Sequence, residues 1–153
     1  MAFLGINGTT SGLWLAVLSD DGEVQDAPPN IALSGDTPLD TQIANAVDEA
    51  TRLFERFAIT NVVILDAETG GQNKPNFTTL VPRISLEAAV MYAAHTHDIT
   101  AVRIPRARVR STLGLPKRGP LTSFVADHLE PHSPYWANKR DLAALAALAE
   151  LRR

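Results

Sequence analysis

Short apolar runs and one clear helical stripe divide this chain into elements. Phe3-Leu4-Gly5-Ile6-Asn7 and Leu13-Trp14-Leu15-Ala16-Val17-Leu18 are nearly continuous apolar segments, as strands covered on both faces are. The turn-forming Gly8-Thr9-Thr10-Ser11-Gly12 separates them. Asp20-Asp21-Gly22 marks a hairpin, after which a third strand is expected over Glu23–Gln25, resuming at Asn30–Leu33. A helix should follow, with Thr37 as cap and Pro38 at its first position. Its apolar stripe is Leu39, Ile43, Val47, Ala50, Leu53, Phe54 and Phe57, at three- and four-residue spacing. Asn61–Asp66 reads as a buried parallel strand and 69–76 as a polar loop. A second helix is expected over Ile84–Thr96 and a fifth strand over Thr100–Ile104. Arg106–Leu113 forms a third helix or a basic turn, Pro120–Leu129 a short helix, and Ala137–Leu151 the last helix. The order β-β-β-α-β-α-β-α-α predicts an α/β fold whose mixed sheet has an antiparallel edge and a parallel part.

Composition narrows the class. The 153 residues suit a single domain, and 45% hydrophobic with 20% charged residues is ordinary globular usage. Apolar runs such as Val62–Leu65 are far shorter than the ~18 residues of a membrane helix. The opening Met1-Ala2-Phe3-Leu4-Gly5 lacks the basic and long apolar regions of a signal peptide. The absence of cysteine excludes disulfides, thiol catalysis and thiolate metal sites, and it fits a cytoplasmic protein. The net charge of −3 hides an asymmetry: residues 1–102 carry 13 acidic and 4 basic side chains, residues 103–153 carry 4 acidic and 10 basic ones. A basic face can hold phosphates, and an acidic cluster a divalent cation.

Polar residues gather where parallel strands end, which is where ligands collect in α/β sheets. Asn7 ends the first strand; Asp66 ends the fourth, with Glu68 two residues on. Asp141 lies in the first turns of the last helix, with Asn138 a turn earlier. Oxygen ligands converging there would suit Mg²⁺, and a pair of such ions can clamp both oxygens of a phosphodiester displacement. Each residue also has a plainer reading: Asn7 as a turn former, Glu68 as a solvated loop residue, Asp141 as a helix-dipole partner, Asn138 as an N-cap. Asp66, an acid closing an apolar strand, needs a partner.

On these residues the chain resembles the RuvC Holliday-junction resolvases of the RNase H-like (retroviral integrase) superfamily. Phe3–Thr9 resembles the family's opening strand with its catalytic Asp, and Val63–Asp66 its fourth strand with its catalytic Glu. Arg106-Ala107-Arg108-Val109-Arg110 with Leu113-Gly114 resembles the basic segment near DNA. Asn138–Ala146 resembles the last helix, where D-x-x-D precedes an Ala/Leu run. The resemblance implies an RNase H-like fold, a five-stranded mixed sheet flanked by helices, with metal-dependent cutting of branched DNA by a homodimer. Asn7, Asp66, Glu68, Asn138 and Asp141 are then the candidate metal positions, and Asn7, Asp66, Glu68 and Asp141 the candidate catalytic ones. Here Asn7 and Asn138 replace acids, Asp66 or Glu68 stands for the Glu, and only Asp141 matches in type. A neutral amide brings no charge to a metal. The favoured reading is therefore a RuvC-like nucleic-acid-binding protein with a degenerate site and weak Mg²⁺ binding. On that reading, Asn7→Asp with Asn138→Asp should raise Mg²⁺ affinity. An active Mg²⁺-dependent endonuclease and a protein-interaction module are the alternatives. A kinase-like reading of Gly8–Gly12 would need a second such domain.

Arg106, Arg108, Arg110, Lys117 and Arg118 form a cationic stretch broken by Gly114 and Pro116, suited to phosphate contact or to a partner surface. Lys74 could reach the same backbone. The Ala-rich second helix, with Val90 and Met91, is the candidate dimer interface. Tyr135-Trp136 either stacks on a base or plugs the core, and His95 and His97 point apart on a helix, which argues against zinc.

Overall fold

Strand β1 (Ala2–Thr9) lies at the centre of a mixed sheet. It pairs antiparallel with β2 (Gly12–Ser19), and β2 pairs antiparallel with the short edge strand β3 (Asn30–Ala32). On its other side β1 runs parallel to β4 (Ile59–Leu65), and β4 runs parallel to β5 (Thr100–Ile104), giving the order β3-β2-β1-β4-β5. This computed structural model describes residues 1–68, 76–130 and 132–153; Lys74 and nearly all of the expected 69–76 loop lie outside the described residues.

Among the described residues, four α-helices cover the two faces. Helices α1 (Leu39–Phe57) and α2 (Phe77–Thr96) pack on Leu4, Ile6, Leu15, Val17, Val62 and Ile64. Helices α3 (Arg106–Leu113) and α4 (Arg140–Leu151), with a 3₁₀ segment over Leu121–Asp127, pack on Phe3, Ala16, Leu18, Val63, Leu65 and Ile104. The alternation follows from the strand period of two. Because both faces are covered, β1 and β4 are apolar almost throughout. Residues 141–149 of α4 are all buried, so its Ala/Leu run serves as a helix enclosed on every side.

Several boundaries differ from the expectation. Glu23–Gln25 contributes only an isolated bridge, Val24 to Leu18. Thr37 does not cap α1: Pro38 holds the cap position, and Gln42 turns back to donate to the Thr37 carbonyl at 2.8 Å and accept from Ser34 N–H at 3.0 Å. Helix α2 begins seven residues before Ile84, because Asn76 caps it, accepting from Thr79 N–H at 3.0 Å, and Pro82 is held inside the helix. Helix α4 starts at Arg140, after Asn138 takes a left-handed turn with φ 58°. Arg106–Leu113 is a helix rather than a turn, ended by Gly114 at φ 66°.

Helix α4 approaches β1 very closely. A Cβ at Gly5 would overlap the Ala143 carbonyl and lie 3.1 Å from Ala147 Cβ. Gly5→Ala should therefore destabilise the protein by at least the upper part of the ~1–3 kcal/mol overpacking range. Gly35→Ala, whose Cβ would meet nothing within 4 Å, should stay within about 0.5 kcal/mol of the unmodified chain. Urea unfolding of the two variants checks the contrast.

Candidate functional site

On the α4 face, the end of β1 is joined to the start of the last helix. Asn7 is buried, and its Nδ2 donates to the carbonyls of Asn138 and Lys139, each at 3.1 Å. The amide thus acts as a double donor, a part that no carboxylate can play. Asp141 is also buried. Its Oδ1 accepts from Lys139 N–H at 3.0 Å and from Leu142 N–H at 2.7 Å, and its Oδ2 accepts from the Thr122 hydroxyl. Thr122 Oγ1 in turn accepts from Asn138 N–H at 3.3 Å. Asp141 therefore secures the entry to α4, where free backbone N–H groups favour an acid. Arg140 fixes the same entry from the other side. It donates to the Leu15 carbonyl at 2.9 Å and the Ala27 carbonyl at 3.2 Å, and stacks on Trp136 at 4.3 Å. Burial lowers the Arg140 pKa, against the attraction of Asp26.

Asp66 belongs to the opposite face. It follows Leu65, the register partner of Asn7; Asn7 is the last β1 residue paired with β4, although β1 runs on to Thr9 rather than ending at Asn7, and Asp66 lies one residue past the end of β4. Its carboxylate, however, pairs with Arg103 on β5 at 3.3 Å. Arg103 also reaches Glu87 of α2 at 2.5 Å, and Arg83, one turn earlier, reaches Glu87 at 3.1 Å. Glu87 is only 1% exposed. Gly8 makes room for this pair, since a Cβ there would run into the Arg83 and Glu87 side chains. Burial opposes the charge on Arg103, yet bonding and attraction to Glu87 and Asp66 outweigh it and hold the guanidinium above its ordinary range. Arg106, at the start of α3, donates to the Asp66 carbonyl at 3.2 Å. Burial pushes its pKa down, with Arg83 and Arg110 adding to the fall and Glu68 and Asp66 opposing it. Asp66, Glu68, Arg83, Glu87, Arg103 and Arg106 line one cleft of about 640 Å³.

The basic segment is more ordered than its Gly and Pro content implies. Arg108 is exposed on α3, and Lys117 and Arg118 are exposed on the loop after it. Arg110 is a structural member of the group. Its guanidinium donates to the carbonyls of Pro116 at 2.7 Å and Gly119 at 2.5 Å, folding the loop back on the helix. Tyr135 is exposed, whereas Trp136 is sandwiched between Arg140 and His132, the latter ring at 4.7 Å.

The candidate positions therefore form two groups. Asn7, Asn138 and Asp141 meet at the α4 face, while Asp66 and Glu68 line the cleft at the α2 face. No hydrogen bond or ion pair joins Asp66 to Asn7 or Asp141 among the described residues, and no group of three or more acidic or histidine side chains able to hold a metal ion is found among them. These donors do not fit a pair of divalent cations: Asn7 is a donor to carbonyls, Asp141 holds N–H and O–H groups, and Asp66 is charge-paired. Sequence reasoning missed Arg83, Glu87, Arg103 and Arg140. Two signals were present: Arg and Glu at i, i+4 in an otherwise apolar helix, and a lone Arg inside the strand Thr100–Ile104.

Solved structures supply the fold comparison. RuvC of Thermus thermophilus superposes with a TM-score of 0.77 at 16% identity, over 99% of this chain and 94% of that one. The same protein in complex with a Holliday junction substrate gives 0.75 at 16% identity, over 99% and 93%. The yeast mitochondrial Holliday junction resolvase Ydc2 gives 0.56 at 16% identity, over 98% and 77%. No family model and no curated protein sequence matches. The chain has the RNase H-like fold in the form found in RuvC-type resolvases.

Asn7→Asp exchanges two donated bonds for a carboxylate facing two carbonyl oxygens. The variant should lose about 1–3 kcal/mol of stability, the range for leaving buried polar groups unpaired. Denaturant unfolding in the presence of EDTA measures the loss.

Proposed function

We propose that this chain is a RuvC-like nucleic-acid-binding protein whose nuclease site is degenerate, binding branched DNA without efficient cutting. The carrying observation is the commitment of Asn7, Asp66 and Asp141 to internal partners at the strand ends. A metal-assisted displacement needs carboxylates free to neutralise cations beside the scissile phosphate. The fold supports the nucleic-acid reading, and so does the charge asymmetry: Arg108, Lys117 and Arg118 offer exposed cations to a phosphate backbone. No described helix is long and apolar enough to cross a membrane, and the cysteine-free sequence supports a cytoplasmic setting.

A homodimer is part of this proposal. The Val90 nominated for the interface faces the core instead, and Met91 is only partly exposed. The outward stripe of α2 is Phe77, Ile84 and Tyr92, at 82%, 47% and 63% exposure. These residues recur at helical spacing, and an exposed apolar row of this kind suits a self-complementary C₂ contact. Light scattering should give a dimer, and Tyr92→Glu with Ile84→Glu a folded monomer; a monomeric unmodified chain at high concentration contradicts the proposal.

Binding should weaken steeply with salt, as counterion release requires. Lys117→Ala and Arg118→Ala should each weaken binding alike for all sequences and lower the salt slope by about one. Arg110→Ala should act differently, loosening the loop and lowering stability as well as affinity. Fluorescence anisotropy with a four-way junction and a duplex at two salt concentrations tests these effects. Absence of binding to either at low salt would leave a protein-interaction module, and efficient Mg²⁺-dependent cleavage would establish an active enzyme.

A further inference from the structure

The geometry points to a nucleotide subsite in the cleft between α2 and the start of α3, its phosphate taken by Arg83, Arg106 and the first turn of α3. The inference rests on the nucleic-acid reading and deepens it, by naming a binding position separate from the exposed Lys117 and Arg118.

Three observations carry it. The first is an unused donor. Arg83 gives its Nε to Glu87 at 3.1 Å, and its side chain is only 12% exposed. Its Nη2 is buried and bonds to nothing among the described residues. Such an atom is rare in a folded protein and marks a place for an acceptor from outside the chain. The second is a cation without a counter-ion. Arg103 is committed to Asp66 and Glu87. Arg106 forms an ion pair with no carboxylate among the described residues, and its Nε donates to the Asp66 backbone carbonyl at 3.2 Å. Arg83 and Arg110 crowd its charge, and an anion would relieve them. The third is the helix end. Helix α3 begins at Arg106 with no side-chain cap and no acid in its first turn. The first N–H groups of a helix lack partners within it and favour an anion. Arg83, Pro105 and Arg106 line the same cleft of about 640 Å³, so all three sources of positive potential serve one opening.

The rest of the lining selects the ligand. Leu80 and Pro105 add apolar surface beside the arginines, which suits a sugar and base attached to the phosphate. Guanidinium groups themselves both fork onto phosphate oxygens and stack on planar rings. Asp66 and Glu68 also border the cleft, and their charge disfavours a polyphosphate chain. One nucleoside monophosphate unit fits this combination.

Deoxyadenosine monophosphate (dAMP) is the probe, followed by nuclear magnetic resonance titration of the ¹⁵N-labelled chain. It should bind at one saturable site and move the Arg106 and Ala107 amide signals. Deoxyadenosine, which lacks the phosphate, should bind at least about tenfold more weakly, as loss of charge-assisted bonds requires. Arg106→Gln should weaken dAMP binding by about tenfold. Arg83→Lys keeps a charge facing Glu87 but removes Nη2, and it too should weaken binding. Leu80→Ala should weaken dAMP binding and leave that of inorganic phosphate unchanged. Arg52→Ala, at an exposed position of α1, should alter neither. If Arg83→Lys fails to fold, Arg106→Gln and Leu80→Ala carry the test. Displacement of a labelled four-way junction by dAMP assigns the subsite to a nucleotide of the bound strand, and dAMP binding without displacement assigns it to a free nucleotide. Absence of saturable dAMP binding, equal binding of deoxyadenosine, or dAMP binding unchanged by Arg106→Gln each overturns the inference. Junction binding through Lys117 and Arg118 is read separately from its salt slope, so loss of the nucleic-acid reading and loss of this one are distinguishable.

Discussion

Helix α4 rests on the backbone of β1 at Gly5, and this contact decides what the end of the sheet can do. No side chain fits between the two elements, so the start of α4 is brought down to Asn7, two residues farther along the strand on the same face. Asn7 then meets the carbonyls of Asn138 and Lys139, and Asp141 turns back on the N–H groups of its own helix. A polypeptide with an acid at position 7 would place a carboxylate against the Asn138 and Lys139 carbonyl oxygens unless a cation lay between them. The amide at position 7 removes that need. Its two N–H bonds supply the positive partial charge locally, and the packing of α4 on the sheet is preserved.

The opposite face solves the same electrostatic problem with whole charges. Asp66 and Glu87 are neutralised by Arg103 and Arg83, and Gly8 gives the pair its room. The two solutions lie on either side of the strand ends and divide residues that would have to act together in metal-assisted phosphodiester chemistry. On the proposed reading, phosphate contact would fall to the short basic helix and the loop of exposed cations that Arg110 holds in shape.

Much of this was legible from residue patterns. The apolar runs located β1, β2, β4 and β5, and the stripe from Leu39 to Phe57 located α1, because burial on a sheet imposes those periods. The placement of Asn7 and Asp66 where the pairing of β1 with β4 ends, and of Asp141 in the first turn of α4, was legible for the same reason. The direction of each side chain was not. Asp66 could pair across the strand end or along it, and only the position of Arg103 on β5 decides which. The start of α2 was hidden by Pro82, which usually breaks a helix; the Asn76 cap overrides it from six residues away. Thr37 had the chemistry of a cap, but Pro38 takes the cap position, and the Gln42 side chain closes the preceding turn on Ser34 and Thr37. The role of Arg110 was hidden in a run of cations, since sequence alone does not distinguish an arginine that serves the backbone from one that faces solvent.

The central claim is that Asn7, Asp66 and Asp141 are each engaged by other groups of the chain and leave no place for a metal ion. The most direct test is a crystal structure of the unmodified protein grown with MnCl₂, with anomalous scattering recorded at the manganese edge. The account predicts no manganese peak among Asn7, Asp66 and Asp141, with Arg103 still bridging Asp66 and Glu87. A manganese ion joining Asp66 to Asp141, with Arg103 displaced, would contradict it.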